Sequence, residues 1–567
     1  PVEPDLDRTL DPDPSNREID RMLAAQGLLY DASPLFSAGE SVPRAGVLLA
    51  IPALVATGVF EAAKKTYGHI GPAFYGLRTT LLTLLVLALL RVKRPENVKE
   101  YSPSELGRTL GLDRAPEVKT IRRKLTRLAI ADRSEVFLQE LVERRVESRS
   151  EAMGFLYVDG HVRVYSGKAD LPKGHVARMR LSLPATQDVW VNDAEGDPLF
   201  FVTQQAHPQL VSALPSILSE VRRLVGTDRR VTVVFDRGGW SPTLFQKMEK
   251  DGFDVLTYRK GKSEPVADED FVEHFVHRPG GELRYELHDC EVSLLSGTFF
   301  MRQVTRRQGE HQTKIVTTRR DLDVVDVAVR MFDRWRQENF FKYMREEYAI
   351  DALVEYGSEP DDPTRTVPNP ARKALDREIA KARRKVDGLE AKYGAAAIDN
   401  PEQKRRSMRG FKIAHGTEIG VPLRQARAHL EQLLDQRSKL PSRVPVGEVK
   451  QEVVRLPREK KRLSDGLKML AYQIETDLLR AVAPFYARSL DEGRRLLRAA
   501  LQSAADLDVG ENELRVTLAP QSSPHRSRAI AELCQILNDA DVCFPGSNLR
   551  LRYGVRMDGD CATEKPE

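Results

Sequence analysis

The chain has 567 residues, 41% hydrophobic and 30% charged, with 88 Lys and Arg against 83 Asp and Glu for a formal net charge of +5. These proportions exclude a wholly disordered chain and leave room for three or four domains of about 150 residues each. Four cysteines, Cys290, Cys534, Cys543 and Cys561, are too few for a disulfide framework in a chain of this size and suit a reducing cytosol.

The start, Pro1-Val2-Glu3-Pro4-Asp5, is acidic and proline-rich, lacks the apolar core of a secretory signal, and without a Met reads as processed or truncated. Residues 1–20 read as a flexible tail and 21–150 as a helical, DNA-binding region. Its apolar runs, Ala45 to Phe60 and Thr79 to Leu90, raise the question of a membrane. The second holds only about a dozen apolar residues against the roughly 20 that a spanning helix needs, and Pro52 interrupts the first. Both therefore read as buried helices of an all-α region, with no membrane partner.

Ser102 and Glu105 then form a capping box, Pro103 suits the first helical position and Gly111 suits a helix stop. A second helix after Pro116 carries Lys119, Arg122, Arg123, Lys124 and Arg127, with Val118, Ile121, Leu125 and Leu128 turned inward. Helix, turn, basic helix suits DNA contact through Arg122, Arg123 and Arg127, and equally suits a solvated basic helix.

From Ala152 the texture changes. Gly154 to Gly167 reads as two strands turning at Asp159-Gly160, a strong hairpin dipeptide. Val189-Trp190-Val191 and Leu199 to Val202 suggest two more strands, and Gln209 to Leu224 an amphipathic helix. Val231-Thr232-Val233-Val234-Phe235 follows, an apolar run that reads as a buried parallel strand with Asp236 at its carboxyl end. Ligands in open α/β sheets sit at such strand ends. A plainer reading makes Asp236 the cap of the turn at Gly238-Gly239. The order of elements is that of a ribonuclease-H-like domain, with Asp159 on the first strand and Asp236 beside it on the fourth.

A helix from about Pro242 to Asp251 and a strand from Phe253 to Tyr258 continue the alternation. Asp268 to Thr318 then reads as an antiparallel β insertion of short alternating runs. His274, His277, His288 and Cys290 lie inside it, and period-2 strands account for them as well as any zinc site does. Helical texture returns from Asp321 to Tyr348, where Arg334, Glu338 and Arg345 are spaced to share one face. Leu375 to Tyr393 and Ile419 to Leu440 each repeat apolar residues in a 4,3 pattern, suggesting an antiparallel helical hairpin or a dimer contact. Helices from about Leu463 to Ser503 lead to a small β-α-β ending over Glu513 to Tyr553.

The constellation of Asp159, Asp236, Arg334, Glu338 and Arg345 resembles the DDE transposases of bacterial insertion sequences, in the branch whose glutamate helix carries a Tyr-x2-Arg-x3-Glu-x6-Lys signature. Arg334 and Glu338 match its arginine and glutamate, Arg345 replaces the lysine, and Met331 stands where the tyrosine would be. The resemblance covers roughly Met153 to Glu347, with an echo at Ser464 to Tyr472. It implies an α/β ribonuclease-H-like catalytic core over 151–350 with a β-rich insertion at about 265–320. Around that core it expects an all-α N-terminal region, a coiled-coil hairpin over 365–445 and a helical C-terminal region over 450–567.

By the same resemblance Asp159, Asp236 and Glu338 are catalytic and bind two Mg²⁺ or Mn²⁺ ions, while Arg334, Lys342 and Arg345 contact DNA. Hard oxygen donors of this kind serve two-metal phosphoryl chemistry. The expected partner is double-stranded DNA, as terminal inverted repeats and target, gripped by a homodimer in a bacterial cytoplasm at the nucleoid. Asp193, Asp197, Asp254 and Glu347 are fallback ligands. A metal-dependent nuclease without strand transfer, and a catalytically silent DNA-binding descendant, are the competing functions.

Overall fold

The computed structural model describes residues 9–167, 171, 173–176, 179–205, 210–261, 263–278, 281–332, 335–352, 354, 359–398, 416–449 and 454–556. The chain forms two units, one of residues 1–166, 172–356 and 457–567, the other of 167–171 and 357–456.

The strands of the first unit begin with β1 (Gly39–Val42), β2 (Phe155–Val164), β3 (Lys173–Val176), β4 (Leu181–Asn192), β5 (Pro198–Gln205), β6 (Val231–Phe235) and β7 (Phe253–Tyr258). They continue with β8 (Val272–Arg278), β9 (Gly281–Leu294), β10 (Phe299–Gln308) and β11 (His311–Thr317). Strands β2 to β11 make one ten-stranded sheet of mixed direction. Its central part runs β5-β4-β2-β6-β7: β2, β4 and β5 form an antiparallel meander, and β6 and β7 lie parallel to β2. All five residues of β6 are buried, as expected of a strand covered on both faces.

Alternation along the strands decides which helix covers which face. Leu156, Val158, Val233, Phe235 and Val255 pack against the helices Leu210–Val225 and Pro242–Lys250. Phe155, Tyr157, Val234 and Leu256 pack against Val327, Ala328 and Met331 of the helix Val324–Phe332. The β-rich stretch extends this sheet rather than forming a layer of its own, because β11 pairs antiparallel with β7 and β10, β9 and β8 follow.

Asp159-Gly160 is not a hairpin turn. Strand β2 runs unbroken through it for ten residues, paired with β4 from Tyr157 to Val164. A Cβ at Gly160 would stand 2.2 Å from Nε2 of Gln187 on β4, the movable end of a long side chain, so the strand itself does not require glycine there.

The N-terminal helices Ile51–Ala56, Val59–Tyr67 and Leu77–Leu89 share one apolar core with the C-terminal helices Glu459–Val482 and Ser489–Gln502. No single described helix is long and apolar enough to cross a membrane; Ala45–Ala56 and Val59–Tyr67 pass that test only as a pair, bent by 61°. The N-terminal region is not all-α, for β1 pairs with the strand Ala505–Val509. That strand continues to Glu513–Leu518 and then to Arg550–Val555, which run parallel to each other across the helix Pro524–Asp539. The β-α-β ending is thus part of a four-stranded sheet.

In the second unit the helices Pro370–Ile398 and Val421–Lys439 form a hairpin, with Leu375, Ile379 and Ala382 against Leu430 and Leu433. Arg427 pairs with Glu390 and Arg437 with Asp376, an order that requires the two helices to run antiparallel.

Candidate active site

Strand β6 ends at Asp236, whose backbone stays extended while its carboxylate accepts the N–H of Gly238 at 2.8 Å. Two glycines must follow. A Cβ at Gly238 would meet Oδ1 of Asp236 at 2.8 Å, and one at Gly239 would meet the Phe235 ring at 2.4 Å. The chain then enters the helix Pro242–Lys250, where Ser241 accepts the N–H of Leu244 as N-cap and Pro242 opens the first turn. Asp236 therefore does cap its turn, and remains half exposed while doing so.

The parallel register of β2 and β6 pairs Tyr157 with Val234 and Val158 with Phe235. One residue further on are Asp159 and Asp236. Each lies two residues beyond a side chain packed on the same face, Tyr157 and Val234, so by alternation both acids belong to the face on which the helix Val324–Phe332 packs. Asp159 is half exposed as well, and its Oδ1 accepts the N–H of Gly160.

That face also receives the helix Trp335–Tyr348, which carries Glu338. The anchor is aromatic. Trp190, opposite Asp159 in the β2–β4 register, is fully buried, stacked on Phe201 at 4.6 Å and edge-on to Phe340 at 5.4 Å. Phe341 stacks on His161 at 5.0 Å, and His161 also bonds to Asp351. Glu338 is thus about one helical turn from a contact to the residue two beyond Asp159. The side chain of Glu338, and Arg334 as a whole, lie outside the described residues.

The far end of this helix is held by charge. Arg91 bonds to the hydroxyls of Tyr348 and Tyr343 at 2.8 and 3.0 Å and pairs with Glu475 at 2.8 Å and Glu347 at 3.3 Å. Lys468 and Lys461 donate to the carbonyls of Ala349, Ile350 and Ala352 just beyond it. Arg345 is half buried and Lys342 exposed, and Met331 is fully buried in the core.

The four fallback acids are committed elsewhere. Asp193 and Asp197 are buried against Arg149 and Arg145, and burial holds the Asp197 carboxyl up at about 6 despite those arginines. Asp254 pairs with Arg230 at 2.6 Å and accepts from Thr318, and Glu347 pairs with Arg91 and Arg498. Among the described residues no three His, Cys, Asp or Glu side chains gather as metal ligands. His274 and His277 lie on β8 and His288 and Cys290 on β9, each pair spaced along its strand.

In the N-terminal region the helix Val118–Ile130 exposes Arg122, Arg123 and Arg127, with Arg122 paired to Glu96. Lys124 is buried instead, which lowers its ammonium pKa to about 8. A groove lined by Arg237, Arg259 and Lys314 together with Glu264 and Glu310 begins at the residue after Asp236 and is not apparent in the sequence as a site. Its signs in the sequence are Arg237 beside Asp236 and Arg259 directly after the strand Phe253–Tyr258.

A family model for a transposase protein matches residues 14–556, and the chain belongs to that family. No curated protein matches it. The cryo-EM structure of the piggyBac transposase synaptic complex with hairpin DNA is similar over 48% of this chain, at 8% identity and a TM-score of 0.28, a likeness too slight to carry an argument. The match spans 59% of that chain's length.

Proposed function

We propose that this chain is a DDE-type DNA transposase, of the kind found in bacterial insertion sequences, that cuts and joins DNA at transposon ends. The observation that carries the reading is the parallel register of β2 and β6, which sets Asp159 and Asp236 side by side, half exposed, on one face of the sheet. The strand order β5-β4-β2-β6-β7 supports a ribonuclease-H-like core, and Glu338, from the helix that crosses the same face, is the third acid.

Three carboxylates are hard oxygen donors and fit Mg²⁺ or Mn²⁺ better than zinc. Bound there, two such ions supply activation of water or a DNA 3′-hydroxyl and stabilise the leaving oxygen of an in-line displacement. Asp159 and Asp236 present their oxygens from strands whose backbones are fixed by the sheet, so little reorganisation accompanies binding. Lys342 and Arg345, within about two turns of Glu338, grip phosphates near the cut, and Arg334 is the third such residue. Arg122, Arg123 and Arg127 bind the terminal repeats, and two copies of the chain hold the two ends at the bacterial nucleoid.

The test is metal-dependent cleavage and joining of labelled DNA carrying the element's ends, with Asp159→Asn, Asp236→Asn and Glu338→Gln as variants. Wild type is expected to cut and join. Each variant is expected to lose both by about a thousandfold or more, as removal of a preorganised charge-stabilising group does, with DNA affinity retained. Full activity in Asp236→Asn would sink the assignment, and cutting without joining would make the chain a nuclease.

A further inference from the structure

The positive charge of the chain is concentrated in one segment. Residues 357–456 hold 21 Lys and Arg against 14 Asp and Glu, a net of +7, whereas the whole chain, 88 against 83, nets +5. The remainder is slightly acidic, 67 against 69.

Within this segment the helix Pro370–Ile398 is polarised. Leu375, Ile379 and Ala382 face the neighbouring helix. At about 100° per residue, Lys373, Arg377, Lys381, Arg384, Lys385 and Lys392 fall within about 120° of one another on the opposite side, along about 29 Å of helix. All six are exposed. No carboxylate lies in that arc, where the other positions are Ala374, Gly388, Ala391 and Ala395. Four other basic groups of the hairpin are occupied, Arg427 with Glu390, Arg437 with Asp376, Lys439 with Asp435, and Arg372 with the carbonyl of Leu440, whereas Arg383 and Arg424, off the stripe, are exposed. The six on the stripe make no side-chain hydrogen bond or ion pair among the described residues.

We propose that this stripe is a track for the phosphate backbone of duplex DNA. The inference rests on the transposase reading only in taking DNA as the partner. Like charges repeated along one helix face repel one another, and a polyanion laid along them removes that cost. A straight run of about 29 Å matches roughly eight base pairs of duplex, each neutralised phosphate releasing its condensed counterions. Single strands are bound by aromatic stacking platforms, and the stripe has no aromatic residue. An interfacial membrane helix needs a free apolar face, and here that face is occupied by the helix Val421–Lys439. The small residues between the cations let a phosphate backbone come close; a Cβ added at Gly388 would meet nothing within 4 Å.

The experiment measures affinity of the full chain for a labelled duplex of unrelated sequence across a salt series, without divalent metal. The variant Arg377→Gln/Lys381→Gln/Arg384→Gln/Lys385→Gln is expected to flatten the plot of log affinity against log salt by about 3 to 4. At about 0.1 M salt its affinity is expected to fall on the order of a hundredfold or more, with the melting temperature not lowered, because all four residues are exposed and their mutual repulsion is removed. Arg377→Lys/Arg384→Lys is expected to keep the wild-type slope, and because no divalent metal is present and no strand is cut, failure of the catalytic assignment leaves this measurement intact.

A wild-type slope in the fourfold variant overturns the proposal. If that variant melts early, Lys381→Gln/Lys385→Gln is expected to flatten the slope by about half as much, and an unchanged slope there overturns it equally. Failure of the wild type to bind duplex, or stripe-dependent binding to phosphatidylserine vesicles in its place, overturns it as well.

Discussion

Lys124 is a cation on the wrong side of a basic helix. It stands three residues after Ile121 and four before Leu128, both buried, so the helical period itself turns it inward. Burial, reinforced by Arg123 and Arg127 and opposed by Asp31, lowers its pKa from 10.5 to about 8. The unfolded chain therefore binds more protons than the folded one between about pH 8 and 10.5, and stability rises with pH across that window. Below pH 8 both states are charged and the burial cost stands in full. Lys124→Met is expected to raise stability at pH 7 by about 1–3 kcal/mol. Wild type should then close the gap as the pH rises towards 10, and melts at pH 7 and 9.5 read this directly. Parallel pH curves for the two proteins would mean that the ammonium is solvated. The helical period places Lys124 inward when counted in threes and fours from Ile121 and Leu128, but in the sequence its charge groups it with the basic residues of the helix. The path of the chain at Gly160 was not legible, because a hairpin dipeptide reads the same whether the chain turns or runs on, and only the pairing of β2 with β4 separates the two.

The element on which the candidate site depends is the helix Trp335–Tyr348. Its local sequence accounts for the helix, but its placement comes from residues far away in the chain: Trp190 and His161 at one end, Arg91, Glu475 and Lys468 at the other. No reading of neighbouring residues finds such partners. The strands were more legible: β5, β6 and β7 announce themselves by texture, whereas β2 reads as a hairpin and β4 shows only its end at Val189 to Val191, and the neighbouring places of Asp159 and Asp236 come from the register of β2 and β6. Arg91 is the test of the clamp. Glu475 is fully buried, and without Arg91 it keeps Arg494 at 3.4 Å and the hydroxyls of Tyr343 and Tyr348. Arg91→Met is expected to cost about 1–3 kcal/mol, less than the roughly 3–5 of a buried charge left wholly without a partner, because Arg494 and the two hydroxyls remain on Glu475. Adding Glu475→Gln also removes the carboxylate that Arg494 pairs with, so the double variant is expected to lose less than the sum of the two single losses rather than to return to wild type. Urea melts of the two single variants and the double variant measure the coupling; additive losses would show that the pair is not a unit. Strand cleavage should fall in Arg91→Met, with DNA affinity held, because the helix bearing Glu338 loses one of its two anchors.

At the scale of the whole molecule, charge is partitioned: the segment 357–456 carries the net positive charge, while the remainder, slightly acidic, contains the sheet with Asp159 and Asp236. Added salt therefore acts in two ways, by general screening and by binding at the carboxylates, and only the second distinguishes Mg²⁺ from sodium. Two carboxylates about 5 Å apart repel by about 3 kcal/mol at an effective dielectric near 20. A divalent cation at ten times its dissociation constant adds about 1.4 kcal/mol to the stability of the folded state. Spread over the unfolding entropy of a chain this long, that is a rise of only about 1–3 °C in melting temperature. The comparison must therefore be made against sodium chloride of equal ionic strength. Wild type is expected to show the rise with Mg²⁺ and lose it with EDTA. Asp236→Asn should show no rise and, relieved of the repulsion, should melt above wild type in the metal-free state. If Asp236→Asn instead responds to Mg²⁺ as wild type does, the cation binds elsewhere and the two neighbouring aspartates are not its site. If neither protein responds while wild type still cuts DNA in Mg²⁺, the phosphates of the bound DNA are needed to complete the ligand set, and the same melts repeated with duplex present should restore the difference.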